Sequence, residues 1–464
     1  MGKPSFNGNK NFAPRLGFAW TSNDHKSVVR GGYGIAYDFV FLNPITNQRT
    51  LPPLIITGTL SGQANFTGNN SFAKLVTGTA DIQTQTAAQV GVLSTTTLNF
   101  GAASPIINPN LRNPQAQTWN FGVEREYMGS VFKLTYVGTK GNYLLRSHDV
   151  NLVANPAAPA TSVADETARL AQFQGIFGLL NGNATRRSNR YDGRYNAVAF
   201  LDNSASSNYH AMQFEVQRRF SSVFLNANYT WGKSLDNGSD ALGVLINDSP
   251  NQQNPLDNRN NYGPSQFDLR HRLVLTQSWA LPWFKTSNNP FLHHALGGWT
   301  FSGITSFRTG FPVTLDAGAR RGISPIANIG GGAQVRPNAT GPVNISWIPS
   351  GAAGAPVGLT TDPVQRISAY AAGLGLSQPL LGNFGGLGRN NLRLNGERNF
   401  DWNVSKNFSL NEASYFQIRG EFYNVFNNTS FQDVNRNITN TSFGQYTTVA
   451  QDARTIQLGA KWVF

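Results

Sequence analysis

The chain has 464 residues, enough for two or three ordinary globular domains or for one large barrel. Its 47 glycines and 12% aromatic share stand beside a charged share of only 13%, which argues against a typical soluble α/β enzyme. The absence of cysteine excludes disulfides, thiolate catalysis, iron–sulfur clusters and cysteine-based zinc sites, and the net charge of +13 is dispersed without a basic run, so nucleic acid is not an expected partner.

Strand-like stretches recur along the chain. Asn11 to Trp20 and Ser27 to Asp38 form a first pair about the polar turn 21–26, with Leu16, Phe18 and Trp20 on one face. After a long polar segment, 39–114, come Gln117 to Tyr127 and Val131 to Lys140. Their link, Met128-Gly-Ser130, is tight enough only for an antiparallel hairpin. A second excursion, 140–208, leads to Tyr209 to Phe220 and Val223 to Ser234. Here Val223, Leu225, Ala227, Tyr229 and Trp231 face one way, and Asn226, Asn228, Thr230 and Gly232 the other. Beyond an Asn- and Asp-rich loop, 235–265, the pattern predicts Gln266 to Leu281, a moderate turn, and Gly297 to Val313. A Gly/Pro/Ala-rich segment, 317–390, precedes Phe400 to Ser409, Tyr415 to Phe426, a loop at 428–452, and Arg454 to Phe464. In that last strand Ile456, Leu458, Ala460, Trp462 and Phe464 share one face, while Gln457, Gly459 and Lys461 share the other.

These are about eleven strands whose connections alternate short and long, the plan of an up-and-down transmembrane β-barrel with periplasmic turns and extracellular loops. The fold class is therefore all-β and antiparallel. No window reaches the roughly eighteen apolar residues of a membrane-spanning helix, so strands have to make the crossing. Two loop segments read as short helices: Val163 to Leu180, and Val364 to Leu374 opened by Asp362-Pro363. The start, Met1-Gly-Lys-Pro-Ser-Phe, carries no secretory signal pattern, so a barrel reading makes the chain a fragment or the product of a mis-called gene start.

Particular motifs carry a family resemblance. Asn11-Phe-Ala-Pro-Arg-Leu-Gly-Phe-Ala-Trp20 with Val28-Val-Arg-Gly-Gly-Tyr-Gly-Ile-Ala-Tyr-Asp38 is similar to the mid-barrel region of TonB-dependent receptors of the Oar-like type. So are Pro109-Asn-Leu-Arg112, Gln117-Thr-Trp-Asn120, Tyr136-Val-Gly-Thr-Lys-Gly141, Tyr209-His-Ala-Met-Gln213, Val216-Gln-Arg-Arg-Phe220 and Tyr229-Thr-Trp-Gly-Lys-Ser234. Gly263-Pro-Ser-Gln-Phe-Asp-Leu-Arg-His-Arg272, Gly297-Gly-Trp-Thr300, Gly310-Phe-Pro-Val313 and Glu421-Phe-Tyr-Asn-Val-Phe-Asn427 continue the resemblance in order. It implies the carboxyl half of a barrel of about twenty-two strands, without the signal peptide, regulatory domain, plug and first strands. It also implies as partners outer-membrane lipid, the barrel assembly machinery, an extracellular substrate of unknown class, and the TonB complex acting through a plug that this chain lacks. Residues 1–464 are then a single partial barrel domain.

On this register the polar strand faces line the lumen, and the candidates are Arg15, Arg30, Lys133, Asp268, Arg270, Arg272, Arg308, Gln417, Arg419, Glu421 and Lys461. They could contact an anionic or hydroxyl-rich substrate; the plainer use is a solvated wall or a surface that docks the plug. Trp20, Tyr37, Trp119, Trp231, Trp279, Trp299 and Trp462 read as interfacial girdle residues rather than sugar-stacking platforms. Trp462 and Phe464 form the expected outer-membrane assembly signal. His293-His294, taken as extended chain, points to opposite sides and makes a poor chelate, so no metal site is expected. Gly31-Gly-Tyr-Gly34 falls inside a strand and opens no helix, and Gly382-Asn-Phe-Gly-Gly-Leu-Gly388 reads as loop flexibility. No catalytic constellation and no cofactor site is expected. Two functions fit: energised uptake of a substrate across the outer membrane, or a structural or adhesive outer-membrane protein without transport.

Overall fold

The computed structural model describes residues 11–40, 106–154, 158–169, 190–192, 198–240, 253–317, 335–349, 367–409 and 414–464. Eleven strands hydrogen-bond in chain order into one antiparallel, up-and-down sheet. They are β1 (Arg15–Thr21), β2 (Ser27–Tyr37), β3 (Gln115–Tyr127), β4 (Ser130–Asp149), β5 (Ala199–Phe220) and β6 (Val223–Asp236). The remainder are β7 (His271–Ala280), β8 (Trp299–Arg308), β9 (Glu397–Ser409), β10 (Tyr415–Tyr423) and β11 (Thr455–Val463). Among the described residues β1 and β11 each have one hydrogen-bonded neighbour in this path. No described helix is long and apolar enough to cross a membrane.

Turn chemistry and alternation account for the pairing. Between β3 and β4, Met128 (φ 50°) and Gly129 (φ 72°) both adopt left-handed backbone, the conformation of a two-residue turn that matches strand twist. Tyr127 therefore pairs with Ser130, and the whole β3–β4 register follows. One slip by a single residue would exchange the two faces of a strand. Followed from pair to pair, the register keeps Leu16, Phe18 and Trp20 of β1 on the same face as Tyr33, Phe121, Leu134, Phe214, Leu225, Leu273, Phe301, Val404, Ile418 and Leu458. Among the described residues much of this face is uncovered: Leu458 is 81% exposed and Trp462 64%. An apolar surface of that extent requires lipid.

All seven expected girdle aromatics lie on this apolar face, in two rows. Trp20, Trp279, Trp299 and Trp462 flank the short connections, and Tyr37, Trp119 and Trp231 lie toward the long ones. On β6, Val223 pairs with Trp279 and Trp231 with His271, so the rows stand eight residues apart. At about 3.4 Å per residue and a tilt near 40°, the separation is about 20 Å, close to the apolar band of an outer-membrane barrel.

Several boundaries differ from those the sequence predicts. β4 and β5 extend to 20 and 22 residues, because above Gly141 they continue past the apolar band through register irregularities, where polar–apolar alternation no longer marks a strand. β7 begins at His271 rather than Gln266, and β8 ends at Arg308 rather than Val313. Pro312–Val313 instead pairs with Leu392–Arg393. Helix α1 (Val163–Ala168) starts as expected, with the Ser162 hydroxyl accepting from Asp165 N, whereas residues 170–180 lie outside the described residues. Helix α2 (Ala369–Gly373) is capped by Ser368, so it starts later than Val364; residues 350–366 lie outside the described ones.

The main apolar core sits in the connections rather than in the sheet. Val313, Leu315, Trp347, Ile367, Leu376, Leu392, Leu394, Val434, Ile438, Phe443 and Tyr446 pack together, drawn from the segments after β8 and after β10. Short strand pairs stitch them: Asn338–Ala339 with Leu376–Ser377, and Gln445–Val449 between Ile348–Pro349 and Phe431–Val434. A smaller cluster of Val40, Leu111, Leu145 and Leu201 sits at the upper ends of β4 and β5. The described parts of the connections after β8 and after β10 thus form a cap with its own core. Phe443, 1% exposed and in ring contact with Tyr370, is central to it. Phe443→Ala should cost about 3–5 kcal/mol within the cap. Limited proteolysis should then cut within 335–349 or 367–394 while the sheet keeps its heat-modifiable gel mobility; loss of that mobility would show cap and sheet to be one unit.

Candidate functional site

The face opposite the apolar one carries nine of the eleven polar candidates on one continuous surface. Arg15, Arg30, Lys133, Arg272, Arg308, Gln417, Arg419, Glu421 and Lys461 all share it by register. Asp268 and Arg270 do not belong to the wall, because β7 starts only at His271 and both precede it. Asp268 is 1% exposed; its carboxylate accepts from Ser234 N and pairs with the Arg393 guanidinium, so it anchors a connection.

From β2 to β5 the charges on the polar face alternate in sign from strand to strand, whereas Arg272 of β7 stands directly opposite Arg308 of β8. Arg30 lies 4.0 Å from Glu124, Glu124 stands directly opposite Lys133, and Lys133 lies 3.6 Å from Glu215. Farther along, Arg308 pairs with Glu397, and Arg419 lies 3.4 Å from Glu421. Such part-exposed pairs contribute at most about 1 kcal/mol each. Their effect is to occupy the charges of Arg30, Lys133, Arg308, Arg419 and Glu421 within the wall. Gln417 donates to Asn407 Oδ1 at 2.8 Å. By contrast, the side chains of Arg15, Arg272 and Lys461 have no ion-pair or hydrogen-bond partner among the described residues.

Above this face a buried polar network ties the cap to the wall. Arg389 and Asp236 form an ion pair at 2.7 Å with both side chains 2% exposed, and Arg389 Nη2 donates to Ser239 Oγ at 2.7 Å. Arg336 reaches Asn260 O at 2.8 Å, while its backbone N donates to Gln253 Oε1 at 3.1 Å. Gln253 Nε2 in turn donates to Gly385 O at 3.1 Å. A Cβ on Gly385 would lie 1.5 Å from the Arg336 carbonyl oxygen, so the Gly382–Gly388 run permits close packing rather than flexibility. Sequence reasoning missed Asp236, Arg336 and Arg389, whose partners across the network are 75–153 residues away in the chain; burial of lone charges in Gly/Asn-rich segments leaves no periodic signal.

At the upper ends of β4 and β5, His148 lies 3.9 Å from Asp202. Burial pushes the imidazole below its ordinary range, with Asp202 opposing and Arg146 reinforcing the shift. His293 and His294 fall in a π-helical turn (Leu292–Leu296), so the extended-chain argument does not apply; their rings touch, with centroids 4.9 Å apart. Among the described residues no group of three His, Cys, Asp or Glu side chains could hold a metal ion.

The family model described as outer membrane beta barrel domain matches residues 3–457. No curated protein matches the sequence. Among solved structures, the outer membrane transporter YddB from Escherichia coli is similar at 11% identity and a TM-score of 0.43, over 95% of this chain and 39% of that one. The ferripyoverdine receptor of the outer membrane of Pseudomonas aeruginosa, bound to ferripyoverdine, aligns at 9% identity and 0.40, over 97% and 33%. A mutant of the ferric enterobactin receptor PfeA from Pseudomonas aeruginosa aligns at 10% identity and 0.42, over 98% and 40%. This chain therefore spans well under half the length of these structures.

Two outcomes follow from the cap network. Arg389→Met leaves the Asp236 carboxylate buried without its cation and should cost about 3–5 kcal/mol, read as earlier thermal unfolding of the cap; adding Asp236→Asn should restore much of it. Burial lowers the His148 pKa on folding, so the folded state binds fewer protons than the unfolded one, and the contribution of His148 is present above about pH 6.5 and is lost as the pH falls. Hydrogen-exchange protection factors at 144–149, taken relative to the intrinsic rate at each pH, should fall on acidification and do so less in His148→Gln.

Proposed function

This chain belongs to the outer membrane beta barrel domain family, and on that premise we propose that it supplies wall strands and the extracellular cap of a TonB-dependent, Oar-like receptor. Its role is energised uptake of a substrate across the outer membrane of a Gram-negative bacterium. The observation that carries this reading is the continuous polar face, which passes beneath a cap with its own packed core. A polar interior below a folded extracellular surface is the arrangement a solute route requires.

Arg15, Arg272 and Lys461 are the residues assigned to the passing substrate or to a plug, since the candidate cations Arg30, Lys133, Arg308 and Arg419 stand beside carboxylates. The free edges of β1 and β11 pair with further strands of the same barrel, because lipid does not tolerate unpaired backbone groups. Trp462 and Phe464, exposed at 64% and 98%, are the assembly signal read by the barrel assembly machinery. Residues 1–464 form one partial barrel domain, and the plug and the regulatory domain belong to the rest of the receptor.

Cells expressing the full protein that carries this chain should take up one class among labelled oligosaccharides, oligopeptides and ferric chelates only while the proton gradient is intact. Uptake that survives collapse of the gradient, or surface adhesion without any uptake, would favour a structural or adhesive protein instead. Within the uptake reading, Arg272→Glu should reduce the rate about tenfold, the equivalent of about 1.4 kcal/mol. The paired change Lys133→Met with Glu215→Gln should stay within about twofold, as expected for a part-exposed wall pair.

A further inference from the structure

The connection between β7 and β8 departs from its neighbours. Between β3 and β4, and between β5 and β6, the chain turns through two residues, Met128-Gly129 and Ser221-Ser222. Here the hairpin is already closed by Ala280 opposite Thr300 and by Leu281 N, which donates to Trp299 O at 2.8 Å. Residues 282–298 nevertheless run on as an excursion that the sheet does not need. It is folded locally. Asn289 Oδ1 accepts from Phe291 N at 3.0 Å and from Leu292 N at 3.3 Å, which opens the π-helical turn. A Cβ on Gly297 would lie 2.7 Å from the carbonyl oxygens of both Phe284 and His293, so the two arms of the excursion meet there.

The excursion makes its contacts on the apolar face of the sheet. Trp283 meets Trp279 of the lower aromatic row edge to face, with ring centroids 5.3 Å apart, and Trp299 of the same row donates through Nε1 to Ala295 O at 3.0 Å. Lys406 lies on that face directly opposite Trp299. Its Nζ donates to Gly297 O between the rings of Trp299 and Phe408, which leaves the residue 4% exposed. Other side chains of the excursion stay outside: Trp283 is 57% exposed and Phe291 73%, and Phe284 and Leu296 are exposed as well. Phe284 also holds left-handed backbone at φ 55°, which a bulky residue adopts only at a cost. Between Leu281 and Gly298 the sequence has Lys285, His293 and His294 but no Asp or Glu.

A turn that only reverses the chain in water has no use for these side chains, and the lower aromatic row runs into them without a break. We propose that residues 282–298 form an interfacial anchor seated in the phospholipid leaflet on the side of the short connections, the periplasmic one in an outer-membrane barrel. Trp283, Phe284, Phe291 and Leu296 enter the boundary between headgroups and acyl chains, as the apolar face of a monotopic helix does. The capped helical turn keeps its backbone groups paired there. The occupant is phospholipid rather than protein because the patch continues a face that lipid already covers, and a segment without carboxylates suits an anionic headgroup layer. The anchor fixes the depth of the β7–β8 hairpin and shuts water away from Lys406. It depends on the chain's place in the outer membrane and not on any solute route.

The test uses the full protein carrying this chain, in proteoliposomes of phosphatidylethanolamine and phosphatidylglycerol. This chain has no cysteine, so Phe291→Cys, Leu296→Cys and, in the polar β1–β2 turn, Asn23→Cys each take one nitroxide label once any cysteine elsewhere in the protein is replaced by serine. Collision of the label with molecular oxygen, which concentrates among acyl chains, is compared with collision with a water-soluble nickel chelate. At Phe291 and Leu296 oxygen should be the more frequent collider and at Asn23 the nickel chelate, a reversal of the ratio between the two kinds of turn. A ratio at Phe291 or Leu296 like that at Asn23 would overturn the proposal. A label shielded from both reagents at either site would overturn it in favour of a protein partner. Each of the three replaced side chains is exposed, and heat-modifiable mobility reports that the labelled barrel is folded; with two labels in the excursion, either one decides the point if the other variant misfolds.

Discussion

Hydrocarbon offers no hydrogen-bond partner, and that fact governs this molecule. Every backbone N–H and C=O within the membrane has to be met by an adjacent strand. Eleven strands joined in chain order satisfy the condition for the nine inner ones on both sides. Strict antiparallel register then sorts the side chains, since a period of two leaves each strand one face for lipid and one for water. The two aromatic rows and the charge pairs of the polar face follow from that sorting.

Freed from packing, the sheet has almost no core of its own. Its apolar face is solvated by lipid and its polar face carries ion pairs that add little stability. Side-chain burial is concentrated instead in the cap, where Phe443, Ile438, Val313 and Leu315 are at most 1% exposed. Buried ion pairs such as Arg389 with Asp236 fasten this small core to the strand ends. A barrel wall and a folded cap are therefore held by different physics within one chain.

The sequence alone was informative where chemistry repeats with the strand. All eleven strands, the short-long alternation, the faces of Trp231 and Lys461 and the tight turn at Met128-Gly129 were readable because each depends on neighbours two residues apart or on turn geometry. Readability failed where long-range contacts decide. The extra turns of β4 and β5 beyond Gly141 lack alternation, and Asp268 looked like a wall residue until Arg393 and Ser234 claimed it. Gly385 resembled loop punctuation, although the Arg336 carbonyl leaves no room for a side chain there. The whole cap core lay in stretches whose apolar residues have no regular spacing.

That core also ties together two parts of the gene. Trp347 and Leu376 come from the connection after β8, and Val434 and Phe443 from the connection after β10, with the hairpin of β9 and β10 between them. Neither connection can vary in length or volume without the other accommodating it. Surface segments of outer-membrane proteins ordinarily diversify one at a time; here the two must change as a matched set, so variation in one should be accompanied by compensating variation in the other.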